Sequence, residues 1–230
     1  PGRVLHVGGK VRGLDLSGLD DASAAALVRE HAATVETVRL ADARVLPVAA
    51  LAGVTSRRLA LSLPGFEGPA KELGRLRPLA SRLVALVLTG GQVNDAALAA
   101  IRSLVALERL GLRRCPVTSV GMKALAGLVK LTALDLGGTA VADAGLAHLT
   151  RLVALRQLDL SATRVTETGL ASLASHVALE SLDLQGTAVG DAAFAYLAPL
   201  RSLVELGLEA TRVTDSGLAQ LAGMPQLRML

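Results

Sequence analysis

The stretch that decides the fold is Leu131–Leu155, which reads L-T-A-L-D-L-G-G-T-A-V-A-D-A-G-L-A-H-L-T-R-L-V-A-L. Steps of 24 residues from Leu134 meet a leucine forward as far as Leu230 and backward as far as Leu86. The series is Leu86, Leu110, Leu134, Leu158, Leu182, Leu206 and Leu230. A fixed period of roughly 20 to 50 residues is typical of a solenoid, in which each repeat packs on its neighbours. The sequence therefore predicts one continuous solenoid.

Each repeat combines a strand with a short helix. Leu134-Asp135-Leu136 alternates with period two, so both leucines face the core and the aspartate faces solvent. Leu146, Leu149 and Leu152 recur in steps of three, which predicts a helix with one buried stripe. Acidic residues stand where the helices should begin, and we expect them or the threonines just before them to cap free N–H groups. They are Asp143, Glu167, Asp191 and Asp215, with Thr118, Thr166 and Thr214.

These residues resemble the leucine-rich repeat, L-x-x-L-x-L-x-x-(N/C/T)-x-L, in six consecutive units from Leu83 onward. The continuation T-x-V-x-D-x-G-L is similar to the 24-residue variety of cysteine-containing and bacterial GALA-type repeat proteins. The resemblance implies an α/β horseshoe with a parallel sheet on the concave face and short helices on the convex face. It also implies protein–protein recognition, including service as the substrate-reading part of effectors that carry an F-box, although no segment here matches an F-box.

Two regions differ in regularity. Residues 83–230 hold the regular 24-residue repeats, whereas 1–82 read as degenerate repeats or a cap that stays in phase. Within 1–82, Leu14-Asp-Leu16, Val38-Arg-Leu40 and Leu61-Ser-Leu63 predict strands, and Val4-Leu-His-Val7 predicts one more from a cap or an earlier repeat. Helices are expected over Asp20–His31, Val45–Val54 and Lys71–Leu83. A capping role is one interpretation of this region; a separate binding surface is the other, carried by Arg57, Arg58, Arg75, Arg77 and Arg82.

Composition limits the classes of function. Hydrophobic residues make up 51% of the 230 residues, aromatics only 1%, and the formal net charge is +4. We therefore predict no nucleic-acid partner, because neither a basic stripe nor stacking aromatics are evident. The sequence shows no apolar run long enough to span a bilayer and no signal peptide. A single cysteine favours a reducing, cytoplasmic setting or a delivered effector.

The concave face is where the sequence predicts a binding site. Asp135, Asp159 and Asp183 occupy the outward position of adjacent strands, about 4.8 Å apart. Like charges that face each other are destabilising, so this ladder needs a cation, and we expect Arg156 and Gln157 to soften the repulsion. Two interpretations stay open: an acidic strip that receives a basic partner, or L-D-L as the commonest form of the repeat. A flat carboxylate row encloses calcium poorly, so we predict no metal site.

The positions that flank the aspartates on this face change from basic to acidic along the solenoid. Arg109 and Arg113 lie at one end and Glu205 and Glu209 at the other, with small side chains between them. Without aromatic anchors, we expect a charge-steered affinity. The candidate partner-binding residues are Asp135, Asp159, Asp183, Arg109, Arg113, Arg156, Gln157, Gln185, Glu205 and Glu209.

The remaining polar residues favour structure over chemistry. The inner corner carries Gly91, Cys115, Thr139, Thr163, Thr187 and Thr211, which the resemblance assigns to bonds with neighbouring loop backbones. No histidine lies in register to activate Cys115, and His176, in a leucine position, reads as a partly buried packing residue with one ring hydrogen bond. Gly8-Gly9-Lys10 lacks the rest of a phosphate loop. We therefore predict no enzyme and no cofactor.

Three functional hypotheses remain. The first is a non-catalytic module that recognises a protein through its concave sheet. The second is a ligand-sensing or regulatory domain of a larger protein whose catalytic part lies outside this chain. The third is self-association through an exposed terminal repeat. We expect a fragment, because the chain begins at Pro1 and stops at Leu230, the fourth position of a new repeat.

Overall fold

The computed structural model describes residues 4–8, 10–224 and 226–228. Ten strands form one sheet in chain order, and β2 to β10 all run parallel. The repeat leucines pair in register from Leu86 with Leu110 to Leu182 with Leu206, as the 24-residue spacing predicts. The strands are β1 Val4–Val7, β2 Lys10–Asp15, β3 Thr37–Arg39, β4 Leu59–Leu63, β5 Leu83–Leu88, β6 Arg109–Gly111, β7 Ala133–Asp135, β8 Gln157–Asp159, β9 Ser181–Asp183 and β10 Glu205–Gly207.

Short helices cover the other face of the sheet. They are α1 Asp21–His31, α2 Val48–Gly53, α3 Ala70–Gly74, α4 Asp95–Ile101, α5 Asp143–Leu146, α6 Glu167–Leu170, α7 Ala193–Leu197 and α8 Asp215–Leu218. Single 3-10 turns occupy Arg77–Leu79, Gly121–Leu125, Ala147–Leu149, Ala171–Leu173 and Ala219–Gly223. The leucines of both layers meet in one continuous core, where Leu86, Leu136 and Leu184 are fully buried. This arrangement confirms the α/β solenoid. No helix in the described ranges is long and apolar enough to cross a membrane.

The structure decides between the two alternatives for the Val4–Val7 strand and corrects the expectation of one helix over 71–83. Strand β1 runs antiparallel to β2, with Val4 opposite Leu14, so it is a hairpin on the first repeat and not an earlier repeat. The sheet is therefore parallel except at this edge. The single helix expected over 71–83 is divided between α3 and the 3-10 turn at Arg77–Leu79, because Pro78 lacks the N–H that a continuing helix needs.

Two of the four acidic residues expected to cap their own helices, Asp143 and Asp191, instead bind the following repeat. Asp143 accepts hydrogen bonds from Thr166 N (2.7 Å) and Thr166 Oγ1 (2.7 Å), one repeat later. Asp95 binds Thr118 and Asp191 binds Thr214 in the same way. We call this arrangement the Asp–Thr clasp. It recurs every second repeat, because Ser119 and Glu167 stand at the intervening positions.

The corner threonines also bond differently from the expectation. Thr139 Oγ1 donates to Leu136 O at 2.7 Å, three residues earlier in its own repeat, and Thr163, Thr187 and Thr211 repeat this bond. By contrast, Cys115 reaches the preceding repeat, where its thiol contacts Leu88 O at 3.4 Å. The corner therefore tightens each turn of the chain, and the repeats are joined mainly by the sheet and the clasps.

One loop position in each regular repeat has left-handed backbone. The φ angles are positive at Gly90, Arg114, Gly138, Ala162, Gly186 and Ala210. An L-residue with a side chain is strained there by about 1–2 kcal/mol, whereas glycine is not. Ala162 (φ 51°) and Ala210 (φ 54°) therefore carry avoidable strain.

We expect the double substitution Ala162→Gly/Ala210→Gly to raise the free energy of unfolding by about 1 kcal/mol, after the added entropy of the unfolded chain is subtracted. Urea unfolding followed by circular dichroism measures this change. Ala188→Gly, in a loop where φ is not positive, should lower stability. A decrease of similar size for both variants would show that the left-handed strain is not relieved.

Candidate protein-binding surface

The aspartate ladder lies on the solvent face of the sheet, as predicted. Asp135 pairs with Asp159 and Asp159 with Asp183 in the β7–β9 register. Each carboxylate accepts a bond from the backbone N–H two residues later, at 2.9, 2.8 and 2.9 Å from Gly137, Ser161 and Gln185. The aspartates therefore also close the turn that ends each strand.

Arg113 supplies the cation that the ladder needs. Its Nε donates to Asp135 Oδ2 at 3.0 Å, and its Nη2 bonds Asp159 Oδ2. The guanidinium reaches two repeats because Gly137 leaves room, and a Cβ at that position would lie 2.9 Å from Arg113 Cζ. The expected cation was Arg156, which instead pairs with Glu180. The one guanidinium therefore offsets one of the ladder's three negative charges, and its described bonds do not include Asp183.

The other predicted site residues gather along the same face, apart from Arg156. One depression between β5 and β9 is lined by Arg109, Asp135, Gln157, Asp159 and Asp183. The next, between β9 and β10, is lined by Asp183, Gln185, Glu205 and Glu209, and Gln185 Nε2 donates to Glu209 Oε2 at 2.7 Å. The structure therefore joins the predicted residues into one strip whose charge changes sign from Arg109 to Glu205.

An apolar groove on the same face escaped the sequence analysis. It lies over β2 to β5, holds about 400 Å³, and its apolar wall includes Leu5, Ala60, Ala85 and Val87. Leu5 is 59% exposed and Val87 45% exposed. The groove exists because β1 folds back over Gly13, where an added Cβ would lie 3.1 Å from Leu5 Cβ. Arg39 and Asp15, paired at 3.0 Å, form part of the lining. The sequence signal that could have revealed this groove is Leu5, an apolar residue in the strand predicted at Val4–Val7.

Cys115 is buried in the core. Burial raises the pKa of its thiol to about 11, so the nucleophilic thiolate is scarce at neutral pH. In the described part of the chain no three His, Cys, Asp or Glu side chains are grouped as metal ligands would be.

We expect native Cys115 to react with a soluble thiol reagent at least about 100-fold more slowly than the urea-unfolded chain, since both burial and its pKa suppress the thiolate. Absorbance of the released chromophore measures the rate. Labelling at the unfolded rate under native conditions would show an accessible thiol and contradict the structural role.

Comparison with known proteins supports the fold and nothing finer. No family profile matches the chain, and no curated protein matches it. Among solved structures it is similar to an internalin (inlF) from Listeria monocytogenes str. 4b F2365, with a TM-score of 0.58 and 17% identity over 88% of this chain and 68% of that chain. With the in-register sheet and its covering helices, this similarity shows that the chain folds as a leucine-rich repeat solenoid.

Proposed function

We propose that this chain is a non-catalytic protein-interaction module that recognises a protein partner through the solvent face of its sheet. The observation that carries the proposal is the continuity of the apolar groove with the charged strip along one open face. Val87 lines both the groove and the first charged depression, so a single partner can contact the two together. The fold supports this use, because solenoids present extended sheets for binding.

The groove is the proposed anchor. Interfaces derive most of their affinity from a few side chains that are buried in desolvated pockets. Leu5, Ala60 and Val87 offer such a pocket to an apolar side chain of the partner. The adjoining Arg109 lies exposed and can receive a carboxylate at the rim of the same contact.

The aspartate ladder is a secondary contact in this proposal. Asp135 and Asp159 already bond Arg113 and backbone N–H groups, so a basic partner would have to displace an existing ion pair. Asp183 and Glu205 are the carboxylates that we expect to meet a cation of the partner. For Asp135 and Asp159, this favours the interpretation in which L-D-L is the commonest form of the repeat and the aspartate has a structural role.

Affinity capture from lysate of the source organism tests the proposal. The bait is the 230-residue chain, and Val87→Glu places a charge in the groove at a half-exposed position that should not disturb folding. Val120→Glu is the matched control, because Val120 is 79% exposed in the loop before the 3-10 turn at Gly121–Leu125. We expect a protein retained by the parent and by Val120→Glu to be lost with Val87→Glu.

Asp183→Asn serves as the second arm and should weaken retention less than Val87→Glu does. Retention of the same proteins by all variants would overturn the sheet face as the recognition surface. Circular dichroism of each variant confirms that the fold is kept.

Finer assignments are also proposals. The 24-residue spacing and the T-x-V-x-D-x-G-L wording support the bacterial GALA-like or cysteine-containing type of repeat. A single cysteine supports a reducing compartment, either the cytoplasm or the interior of a cell that receives an effector. Self-association through a terminal repeat is testable by sedimentation over a range of protein concentrations.

A further inference from the structure

The two long edges of the solenoid differ in charge. The edge at which the strands begin consists of the segments that connect each helix to the next strand, and we call it the strand-entry edge. Its segments are 32–36, 54–58, 80–82, 102–108, 126–132, 150–156, 174–180 and 198–204. Because parallel strands all begin on the same side of a sheet, these segments lie side by side.

The strand-entry edge is strongly basic. It carries eight basic residues, namely Arg57, Arg58, Arg82, Arg102, Lys130, Arg151, Arg156 and Arg201. Its three carboxylates, Glu36, Glu108 and Glu180, are each paired with an arginine. The opposite edge, from the end of each strand through the first helical residue, has ten acidic residues against five arginines. The net charge of +4 conceals this separation, and the basic stripe that was not evident in the sequence is therefore present in the fold.

A row of exposed valines runs along the same edge. Val105, Val129, Val153 and Val177 are 53, 47, 54 and 57% exposed, one in each of four consecutive repeats. They account for four of the ten exposed large hydrophobic residues of the described chain. Their buried neighbours Leu104, Leu128 and Leu152 hold the loop in place, so the valines are presented on a rigid support. Ser81 and Arg201 occupy the equivalent positions beyond the row.

We propose that the strand-entry edge binds an acidic amphipathic helix of a partner protein. Successive repeats are about 4.8 Å apart in the sheet, close to the 5.4 Å pitch of an α-helix. A helix laid along the valine row therefore brings one apolar residue to each repeat, as in other helix-in-groove complexes. Its acidic residues then face the flanking Arg102, Lys130 and Arg151, which belong to no ion pair among the described residues.

The chemistry of the edge favours an acidic protein helix over the two other anionic ligands, nucleic acid and a bilayer surface. Nucleic acid would leave the valines against water or phosphate, and the edge has no aromatic side chain for stacking. A bilayer surface is best held by Trp, Phe or Leu side chains with basic residues around them, and the exposed apolar residues of the row are all valine. These two ligands are outcomes of the test below.

The experiment titrates the whole chain into fluorescein-labelled peptides and follows anisotropy. One peptide is a Glu-rich amphipathic helix with leucines on one face, and the other has the same composition with its leucines dispersed. We expect saturable binding of the amphipathic peptide alone. Val129→Thr/Val153→Thr should weaken it about tenfold by removing apolar contact area. Lys130→Gln/Arg151→Gln should weaken it by a similar factor at low salt.

Matched variants on the opposite edge serve as controls. Val120→Thr and Arg164→Gln/Arg212→Gln should leave the affinity unchanged, and so should Val87→Glu, which separates this inference from the proposed function. Equal binding of both peptides would overturn the inference by reducing the edge to a charge effect. It is also overturned if no binding saturates below about 1 mM, or if phosphatidylserine vesicles or duplex DNA bind by the same edge residues and the peptide does not.

Discussion

Replacing Gly169 with alanine is expected to lower the free energy of unfolding by about 3 kcal/mol. Gly169 lies in the first turn of α6, where an added Cβ would collide with Asp143 Oδ1 and lie 3.0 Å from Asp143 Cα. The collision forces the carboxylate out of its bonds to Thr166 N and Oγ1 and to Thr168 Oγ1. Burial favours the protonated form, yet these hydrogen bonds hold the pKa of Asp143 below its usual range.

The chain contains its own control for this prediction. The equivalent residue of the next repeat is Ala193, and it is tolerated where the preceding repeat offers Glu167 in place of an aspartate. Ala193→Gly should therefore change stability by less than about 1 kcal/mol, as a helical Ala-to-Gly change does. Urea unfolding of both variants and of Asp143→Ala measures the effects. If Gly169→Ala and Ala193→Gly destabilise equally, the clasp does not account for the D-x-G pattern.

Replacing His176 with leucine is expected to raise the free energy of unfolding by about 2 kcal/mol at pH 7.5. His176 is completely buried, more so than the partial burial expected from the sequence. Its Nε2 bonds Leu149 O at 3.1 Å, so Nε2 carries the proton. Nδ1 is then a buried acceptor without a hydrogen-bond partner in the described structure. Leucine occupies the same position at 128, 152 and 200 and has no such cost.

The stabilisation should grow in acid. Burial lowers the pKa of His176 below its ordinary value of 6.5, despite the hydrogen bond to Leu149 O that raises it. Below pH 6.5 the unfolded chain therefore binds a proton that the folded chain does not. The free energy of unfolding of the parent protein consequently decreases as the pH is lowered. Between pH 7.5 and 5 the advantage of His176→Leu should increase by up to about 2 kcal/mol.

Urea unfolding at pH 7.5, 6 and 5 measures this increase, and His148→Leu is the control because His148 is only half-buried on α5's continuing turn. A pH dependence shared by His176→Leu and the parent would show that His176 does not titrate between the folded and unfolded states in this range.

The 24-residue period and the alternation of apolar and polar residues were sufficient to predict the solenoid fold. The 24-residue leucine series predicts strands in register, and the pairing of Leu134 with Leu158 follows because any slip by one residue would turn the buried leucines outward. The same alternation placed Asp135, Asp159 and Asp183 on the solvent face. These predictions needed no knowledge of contacts between distant side chains, because each repeat sees the same neighbours.

Tertiary structure decided which polar groups meet. Arg113 and Arg156 are both arginines beside the ladder in sequence, but only Arg113 has Gly137 in the next repeat to let its guanidinium pass to Asp135 and Asp159. Asp143 binds Thr166, 23 residues away, because stacking brings the start of one helix against the next. The apolar groove depends on the direction of β1, and the basic edge on the common direction of the parallel strands. The repeat pattern specifies the backbone. The contacts of long side chains depend on the space between stacked repeats, which only the tertiary structure defines.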